Sequence, residues 1–378
     1  MRLQTLRLLN FRNHEDSSLQ LGDGINALIG RNGQGKTNIL EAMSYFSLGK
    51  SFFAAADAQV VQYGRDFFDI RGTLCDEAQR ASEAQVTFTA GNGKKTVRIN
   101  EVPLEKVSAI VGEYPAVLLS PDHGGIIASG PAERRKFLDI ILCQTSPRYL
   151  EDLQEYRRIL RQRNRFLLDA RLHGTYSAPA LAAWTEGLTQ YGIRIIQKRL
   201  QFVGLVRDWF ASSYEELAGL AEPVSLSYVT VKGVHPGSTG AEIAAAFEQQ
   251  LAAHQSVEVR RGATLVGPHR DDLEFTLRSR NAQDFASQGE HKTLLIALKL
   301  AEQRYVCEVR HETPILLLDD VFAELDSERA SRVLERLEKI GQAVLTTTDA
   351  GLLPRGIGGK SSHRRFLIER GTCAAEIS

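Results

Sequence analysis

Cysteine is scarce in this chain of 378 residues, which contains only four. They are far apart, and none belongs to a C-x-x-C pair, so their spacing fits neither a disulfide framework nor a zinc site. We therefore expect reduced thiols in a reducing compartment. The four are Cys75, Cys143, Cys307 and Cys373.

Long hydrophobic runs are also missing. No segment approaches the roughly 20 apolar residues that a membrane-spanning helix needs. The first residues include Arg2 and Arg7 and lack the uninterrupted apolar core of a signal peptide. Together these absences predict a cytoplasmic protein with no membrane partner.

Net charge is absent too, because 46 lysines and arginines balance 46 aspartates and glutamates. Overall charge therefore gives no argument for a polyanionic partner, and any basic surface must be local. A chain of this length is long for a single hydrophobic core, so we expect two lobes.

The chain does contain a complete P-loop motif, G-x-x-x-x-G-K-[ST]. A strand-like run at 25–29 precedes it, and residues 38–43, beginning with Asn38, have helical composition. Glycines let backbone N–H groups converge on phosphate oxygens at the helix N-terminus, with Lys36 reaching the β- and γ-phosphates and Thr37 binding Mg²⁺. The alternative is a glycine-rich turn that happens to end in Lys-Thr. The motif is Gly30-Arg31-Asn32-Gly33-Gln34-Gly35-Lys36-Thr37.

A second constellation has the form of a Walker B strand. The apolar run at 315–318 ends in Asp319 and Asp320. Asp319 would orient Mg²⁺ or its water shell, and Asp320 would polarise the attacking water. The alternative is a strand that ends in solvent-facing acids, which a P-loop in the same chain makes less attractive.

A third motif, Ser287-Gln288-Gly289-Glu290, lies just before an apolar helical pattern. Ser287 and Gly289 would then stand at a helix N-terminus, which is an anion-binding geometry. The motif is weak alone. Its position downstream of a P-loop and shortly before the Asp319-Asp320 strand strengthens it.

The rest of the chain divides by pattern. Residues 67–100 predict an antiparallel sheet beside the nucleotide core, and residues 131–255 are mainly helical. Within them, 148–172 is rich in arginine and pairs with a second long amphipathic pattern as a helical hairpin. The arginines fit either a solvated face or a surface for nucleic-acid phosphates. Arg12 likewise fits either a solvated hairpin charge or a nucleotide contact.

The P-loop, the strand that ends in Asp319-Asp320 and the motif at 287–290 together resemble the ATP-binding cassette heads of SMC-like ATPases. The motif at 287–290 is similar to their signature sequence, and Ala323-Glu324-Leu325-Asp326 is similar to their D-loop. The sequence departs from the common pattern at two places. Thr348 stands where a switch histidine is usual, and Ser120-Pro121-Asp122 stands where a Q-loop glutamine is usual.

The order of motifs along the whole chain resembles the bacterial RecF family of recombination mediators. It includes the motifs already described and three further segments, which are Asn10-Phe11-Arg12-Asn13, Gly130-Pro131 with Arg134-Arg135, and Gly267-Pro268-His269-Arg270-Asp271-Asp272. The helical part is far too short for the long coiled coil of an SMC protein.

The resemblance implies an α/β fold, in which residues 1–125 and 260–378 form one ATPase lobe and 126–259 form a helical lobe. It implies that ATP and Mg²⁺ bind at the P-loop and that ATP closes a homodimer. Nucleotide contacts would come from the P-loop through Asn38 and from Arg12. Ser287, Gly289, Glu290 and Asp326 would contribute in the assembled site, with the signature acting on the partner's nucleotide.

Functionally, the resemblance implies a nucleoid-associated DNA repair protein that binds duplex DNA and gapped junctions. It implies partnership with RecO and RecR, loading of RecA onto single-stranded DNA, and roles in replication, recombination and the SOS response. Asp320, in place of a commoner glutamate, is consistent with slow, DNA-stimulated ATP hydrolysis.

Three rival functions remain to be compared. A transporter ATPase would normally carry a Q-loop glutamine and a switch histidine. A small-molecule P-loop kinase would need no signature motif and would turn over without DNA. A purely structural DNA clamp would bind DNA without hydrolysing ATP.

Overall fold

The computed structural model describes residues 1–174, 177–325, 327–348, 351 and 362–375. Within them the chain forms fifteen strands, nine α-helices and four short 3₁₀ helices. The strands are β1 (Arg2–Phe11), β2 (His14–Gln20), β3 (Ile25–Ile29), β4 (Phe67–Cys75), β5 (Ala81–Thr89), β6 (Lys94–Ile99), β7 (Val102–Pro103), β8 (Ala116–Leu119), β9 (Val224–Val229), β10 (Asp272–Leu277), β11 (Arg280–Asn281), β12 (Ile315–Leu318), β13 (Ala343–Thr347), β14 (Arg364–Glu369) and β15 (Thr372–Ala375). The helices are α1 (Lys36–Leu48), α2 (Gly125–Ala128), α3 (Pro131–Thr145), α4 (Pro147–His173), α5 (Ala178–Ala218), α6 (Gly240–Arg261), α7 (Ala282–Phe285), α8 (Gln288–Arg310) and α9 (Ser327–Ile340).

None of the described helices combines the length and the apolar character needed to cross a membrane.

A six-stranded, mainly parallel sheet organises the nucleotide region, with strand order β15-β14-β3-β13-β12-β8. Every residue of β3, β8, β12 and β13 is buried, as expected for strands covered on both faces. Because β3, β13 and β12 run parallel, their carboxyl ends meet at one edge of the sheet. The P-loop follows β3, and Asp319 follows β12. Ligands of open α/β sheets bind at this edge.

The second six-stranded sheet is antiparallel, with order β2-β1-β4-β5-β6-β7. It confirms the sheet predicted over 67–100. Alternate residues of β5 are buried, so one face of the sheet packs inward. That face contributes Phe11 and Phe68, which pack edge to face against Tyr45 of α1, with ring centroids 6.0 and 5.4 Å from that of Tyr45. This aromatic contact ties the sheet to the helix that follows the P-loop.

The chain separates into two compact units. The first contains Met1–Gly124, Ser213–Ala221 and Gln288–Ser378, and the second contains Gly125–Ser212 and Glu222–Ser287. The sequence-based boundary at residue 260 differs from this division, because 260–287 group with the second unit. The physical reason is strand pairing, since β10 hydrogen-bonds to β9 along its whole length. The assignment of an ATPase lobe and a helical lobe stays a prediction.

The second unit contains the predicted helical hairpin. Ser146 caps α4 by accepting a hydrogen bond from the backbone N–H of Tyr149, and Gly174 ends it in the left-handed conformation at φ 72°. The second helix, α5, has 41 residues, of which the last six belong to the first unit. Helix α6 follows a capping box at Thr239 and ends at Arg261.

Buried ion pairs replace part of the apolar core in the second unit. Arg163 and Glu258 are 1% and 0% exposed, with a 2.7 Å contact between Arg163 Nη2 and Glu258 Oε2. The other oxygen of Glu258 accepts a hydrogen bond from the backbone N–H of Leu265 at 2.7 Å. Arg199, also buried, donates to Asp139 at 2.8 Å and to the carbonyl of Pro268 at 2.7 Å. Removing one partner of such a pair leaves the other charge buried without a counter-charge.

We expect Glu258→Gln to destabilise the protein by about 3–5 kcal/mol, because the guanidinium of Arg163 would stay buried without its counter-charge. The measurement is urea unfolding followed by circular dichroism. Glu155→Gln is the matched control, because Glu155 pairs with Arg158 at the surface and such pairs contribute about 0–1 kcal/mol. Equal unfolding midpoints for the two variants would contradict the structural role of the buried pair.

His269 is mostly buried and neutral. Its Nδ1 accepts a hydrogen bond from the Tyr156 hydroxyl at 2.6 Å, and its Nε2 donates to the carbonyl of Thr264 at 3.2 Å. Burial lowers the pKa of His269 from 6.5 to about 4. Gly267 makes this contact possible, since a Cβ there would lie 2.5 Å from the Tyr156 hydroxyl oxygen.

Because the lowered pKa of His269 belongs to the folded state, the unfolded chain binds a proton between pH 6.5 and 4 while the folded chain does not. Stability should therefore fall as the pH decreases through this window, by about 3 kcal/mol from this residue. Urea unfolding at pH 7 and pH 4.5 measures the effect. His269→Gln should show a smaller loss over the same interval, and an unchanged loss would refute the assignment.

Candidate nucleotide-binding site

The P-loop lies between β3 and α1, as its sequence predicted. Gly33 and Gly35 both have positive φ angles, 78° and 110°. A Cβ at Gly35 would lie 2.6 Å from Asn13 Oδ1 and 2.8 Å from His14 Nε2. Glycine at position 35 is therefore required twice, once by the backbone conformation and once by the two side chains packed against it.

The Lys36 side chain folds back onto the start of the P-loop. Its Nζ donates to the carbonyls of Gly30 and Arg31, at 2.6 and 2.9 Å. The side chain is buried, and burial lowers the pKa of Lys36, while Asp320 and Asp319 act in the opposite direction. Lysine has three N–H donors. Two of them hold the loop, so the third is available for a phosphate oxygen.

Thr37 joins the P-loop to the Walker B strand. Its hydroxyl lies 2.8 and 3.0 Å from the two carboxylate oxygens of Asp319. The hydroxyl of Thr346, at the end of β13, donates to the same carboxylate at 2.7 Å. Burial is the main cause that raises the pKa of Asp319, and these two hydroxyl hydrogen bonds oppose it. The carboxylate is thus a desolvated anion held in place by two threonines.

Asp320 has a left-handed backbone at φ 47°, which is uncommon for a residue other than glycine. Its backbone N–H donates to the Thr346 hydroxyl at 2.9 Å. Thr346 therefore holds both acids, by donating to the Asp319 side chain and accepting from the Asp320 backbone. Thr346 was not predicted from the sequence to have a role in the site. Its signal was a polar residue near the carboxyl end of a buried strand next to β3.

These groups line an open pocket of about 360 Å³. Its walls bring together residues from the P-loop, both Walker B acids, Thr346 and Pro121. The last of these belongs to the segment at the Q-loop position. The lining residues are Asn32, Gly33, Gly35, Lys36, Thr37, Asn38, Pro121, Asp319, Asp320 and Thr346.

The donor set at this pocket fits Mg²⁺. Thr37 and Asp319 offer a hydroxyl and a buried carboxylate, which are hard oxygen ligands. No group of three or more histidine, cysteine or acidic side chains that could hold a metal ion occurs in the described part of the chain. Mg²⁺ does not need such a cage, because it usually keeps several waters and binds one or two carboxylates together with substrate phosphates.

The turn between β14 and β15 supports the P-loop from outside the pocket. The carbonyl of Gln34 accepts hydrogen bonds from the Asn13 side chain and the Gly371 backbone, both at 3.0 Å. The Gln34 side chain accepts from the backbone N–H of Arg370 at 2.7 Å. Asn13 also accepts from Asn38 at 2.8 Å. Gln34 and Asn38, both predicted to contact nucleotide, thus also fix the loop itself.

Arg12 precedes Asn13, which contacts the P-loop, but the Arg12 side chain contacts α1 instead. Its guanidinium makes two hydrogen bonds, 2.7 and 2.8 Å, to the buried carboxylate of Glu41 in α1. These hydrogen bonds are the main cause that raises the pKa of Arg12. Arg12 is not among the residues that line the pocket. Its nucleotide contact therefore stays a prediction.

The signature motif opens α8. Ser287 is exposed and immediately precedes the helix, whose first residues are Gln288, Gly289 and Glu290. Gly289 and Glu290 belong to the same unit as the pocket, yet neither is among its described lining residues. The expected Asp326 contact lies outside the described residues. Thr348, at the switch position, is exposed.

A P-loop after β3, a parallel β12 ending in two acids and a signature motif opening α8 define an ATP-binding cassette of the SMC type. The family model described as RecF/RecN/SMC N terminal domain matches residues 2–356. A curated relative from Chloroherpeton thalassium, DNA replication and repair protein RecF, is 41% identical over 352 residues, which are 92% of this chain and 95% of the relative. The relative of the same name from Salinibacter ruber is 37% identical over 385 residues, with 100% and 92% coverage. The chain belongs to the RecF family.

Solved structures agree with this assignment. The recombination mediator protein RecF-ATPrS in the RecFOR pathway superposes with a TM-score of 0.90 at 28% identity, covering 99% of this chain and 98% of that one. An Smc head bound to the C-winged helix domain of ScpA has a TM-score of 0.57 at 13% identity, covering 100% of this chain and 97% of that one. The second likeness concerns the fold alone. The resemblance and the fold class predicted from the sequence are confirmed.

We expect Thr346→Val to lower ATP hydrolysis about 10- to 100-fold, because a hydrogen bond to a charged group contributes about 1.5–3 kcal/mol. Valine has nearly the same shape but cannot donate to Asp319 or accept from Asp320. Thr346→Ser keeps the hydroxyl and should retain most of the activity. The measurement is phosphate release at saturating Mg²⁺ and ATP. Wild-type rates for the valine variant would show that Thr346 does not position the two acids.

Proposed function

We propose that this chain is an ATP-dependent DNA-binding protein of recombinational repair whose ATPase controls assembly. The observation that carries the proposal is the pocket in which Lys36 keeps a donor available and Thr37 meets the buried carboxylate of Asp319. Phosphate groups fit the loop, and Mg²⁺ fits Thr37 and Asp319. When bound, the metal would neutralise the charge of the β- and γ-phosphates.

In this proposal the chain's own residues have separate tasks. Backbone N–H groups of the P-loop and Lys36 hold the triphosphate. Asp320 orients the attacking water from its left-handed turn, and Thr346 keeps it beside Asp319. With Asp320 in place of a commoner glutamate, we expect hydrolysis to be slow and stimulated by DNA. The first unit then contains most of the ATPase lobe, and the second contains most of the helical lobe together with residues 260–287.

We further propose that the site is completed by a second copy of the chain. In the described structure the lining residues come from the P-loop side and the Walker B acids, without Gly289 or Glu290. Ser287, Gly289, Glu290 and Asp326 of a partner chain would then close over the nucleotide. ATP would join two chains, and hydrolysis would separate them, which makes the nucleotide a switch for assembly.

The wider role follows the family. One solved relative is placed in the RecFOR pathway. We propose that this chain binds duplex DNA and gapped junctions and acts with RecO and RecR to promote RecA loading on single-stranded DNA. Contacts would be mainly to phosphates, so binding should weaken with salt and select little for sequence.

Mixing two inactive variants tests the shared site. Lys36→Ala removes a charge-assisted phosphate contact and Ser287→Ala removes the signature hydroxyl, and each alone should lower ATP hydrolysis about 10- to 100-fold. In a heterodimer of the two, one site carries both changes and the other is intact. Activity should therefore recover on mixing, and the molecular mass with ATP under non-hydrolysing conditions should be that of a dimer.

The control for this experiment mixes Lys36→Ala with the double variant Lys36→Ala/Ser287→Ala, because no heterodimer of these chains has an intact site. Recovery should be absent there. If the first mixture also failed to recover, while both variants kept the wild-type circular dichroism spectrum, the shared site would be wrong and a small-molecule kinase would become the better hypothesis.

A further inference from the structure

The arginines of α4 divide into two groups. Several are neutralised within the second unit. Arg163 is buried against Glu258, Arg157 pairs with Asp139, and Arg158 pairs with Glu155. Arg161 and Arg165 differ, since both are exposed and have no hydrogen-bond or ion-pair partner among the described residues.

Helix geometry places this second group on one ridge. At 100° per residue, Arg161 and Arg165 lie about 40° apart on the face opposite the buried Arg163. Arg163 faces the interior of the unit, where its Nη1 donates to the Thr264 hydroxyl at 2.7 Å. The ridge therefore points to solvent, away from the acid that neutralises Arg163.

The C-terminal end of α6 lies beside the C-terminal part of α4. Arg171 donates to the carbonyl of Arg261 at 3.3 Å, and a Cβ on Gly262 would lie 3.2 Å from the Cα of Leu168. The loop that follows α6 is held to α4 by Asn164, whose side-chain oxygen accepts from the backbone N–H of Thr264 at 2.8 Å. The exposed cations on this side of α4 and at the end of α6 thus form one surface, which we call the arginine patch. It consists of Arg161, Arg165, Arg171 and Arg261.

Few acids offset this charge. Between 161 and 173 and between 252 and 264, the only acids are Asp169 and Glu258, and Glu258 is already paired with Arg163. These two segments therefore carry an excess of positive charge in a chain that has no net charge. Helix C-termini attract cations and account in part for Arg171 and Arg261. They do not account for Arg161 and Arg165, which lie two to three turns before the end of α4.

We propose that the arginine patch binds the phosphate backbone of duplex DNA. Along α4 the patch extends about 15 Å, from the rise of 1.5 Å per residue. Duplex DNA carries one charge per about 1.7 Å of axis when both strands are counted, so this length of duplex carries about nine phosphates, and the patch would meet those on its own side. Arginine suits them because its planar guanidinium forms paired hydrogen bonds with phosphate oxygens. The inference rests on the proposed function, which it deepens by naming the residues that hold DNA.

The test compares Arg161→Gln/Arg165→Gln with Arg148→Gln/Arg207→Gln. The control removes the same charge from exposed arginines outside the patch, and Arg148 lies at the other end of the same helix. Affinity for a fluorescent duplex of mixed sequence is measured by anisotropy at several salt concentrations. The patch variant should bind about tenfold or more weakly at low salt, and the slope of log affinity against log salt should decrease by about one per lost contact. The control should bind as the wild type does.

Two further measurements separate the outcomes. ATP-dependent dimer mass without DNA should be unchanged in the patch variant, which shows that it is folded. Arg171→Gln/Arg261→Gln should also weaken DNA binding, which a role limited to helix capping would not produce. If wild type binds DNA and the patch variants bind equally well, the patch is not the DNA surface, and an acidic protein becomes the better partner. If wild type does not bind duplex DNA at all, the DNA-binding part of the proposed function is wrong, and this inference with it.

Discussion

The hydrogen bonds between the Thr37 hydroxyl and the Asp319 carboxylate hold the nucleotide site together. They join residues 282 positions apart in the sequence. The contact is possible because β13 lies between β3 and β12 and brings their carboxyl ends to one edge of the sheet. A buried carboxylate needs such donors, since an unpaired charge in a low-dielectric interior is costly. The same requirement makes the site attractive to a cation, which would satisfy the charge better than hydroxyl groups do.

In the second unit, the buried charges are balanced by counter-charges and the exposed arginines are not. Buried arginines such as Arg163 and Arg199 are matched by acids and fix the packing of helices around the loop at 264–271. The segment at 267–272 contributes to this interior through Asp271. Asp271 is 4% exposed and accepts hydrogen bonds from Tyr228 and Thr230. Because the acids of the interior are already paired with buried groups, the exposed arginines of the same helices have few counter-charges.

Local patterns predicted local features well. The P-loop, the Walker B acids, the hairpin of α4 and α5 and the antiparallel sheet each have a short sequence signal, and the structure confirms these elements. Long-range contacts had no such signal. Thr346 lies in a run of three threonines, and only the neighbouring strand shows that its hydroxyl holds both acids. The boundary near residue 260 was placed by a change of pattern, whereas the pairing of β10 with β9 decides where 260–287 belong. The partner of Arg12 could not be predicted from the sequence either, because Glu41 is 29 positions away and follows the P-loop, whereas Arg12 precedes it.

The position of β3 has a consequence for synthesis of the chain. Its two hydrogen-bonding neighbours are β13 and β14, which are made more than 300 residues later. A nascent chain on the ribosome can complete the antiparallel sheet early, but the strand that carries the P-loop stays without neighbours until nearly the whole protein has emerged. The turn that supports Gln34 comes later still. Capacity to hold nucleotide should therefore appear late and all at once. A truncated product would expose an unpaired apolar strand, which cellular quality control recognises.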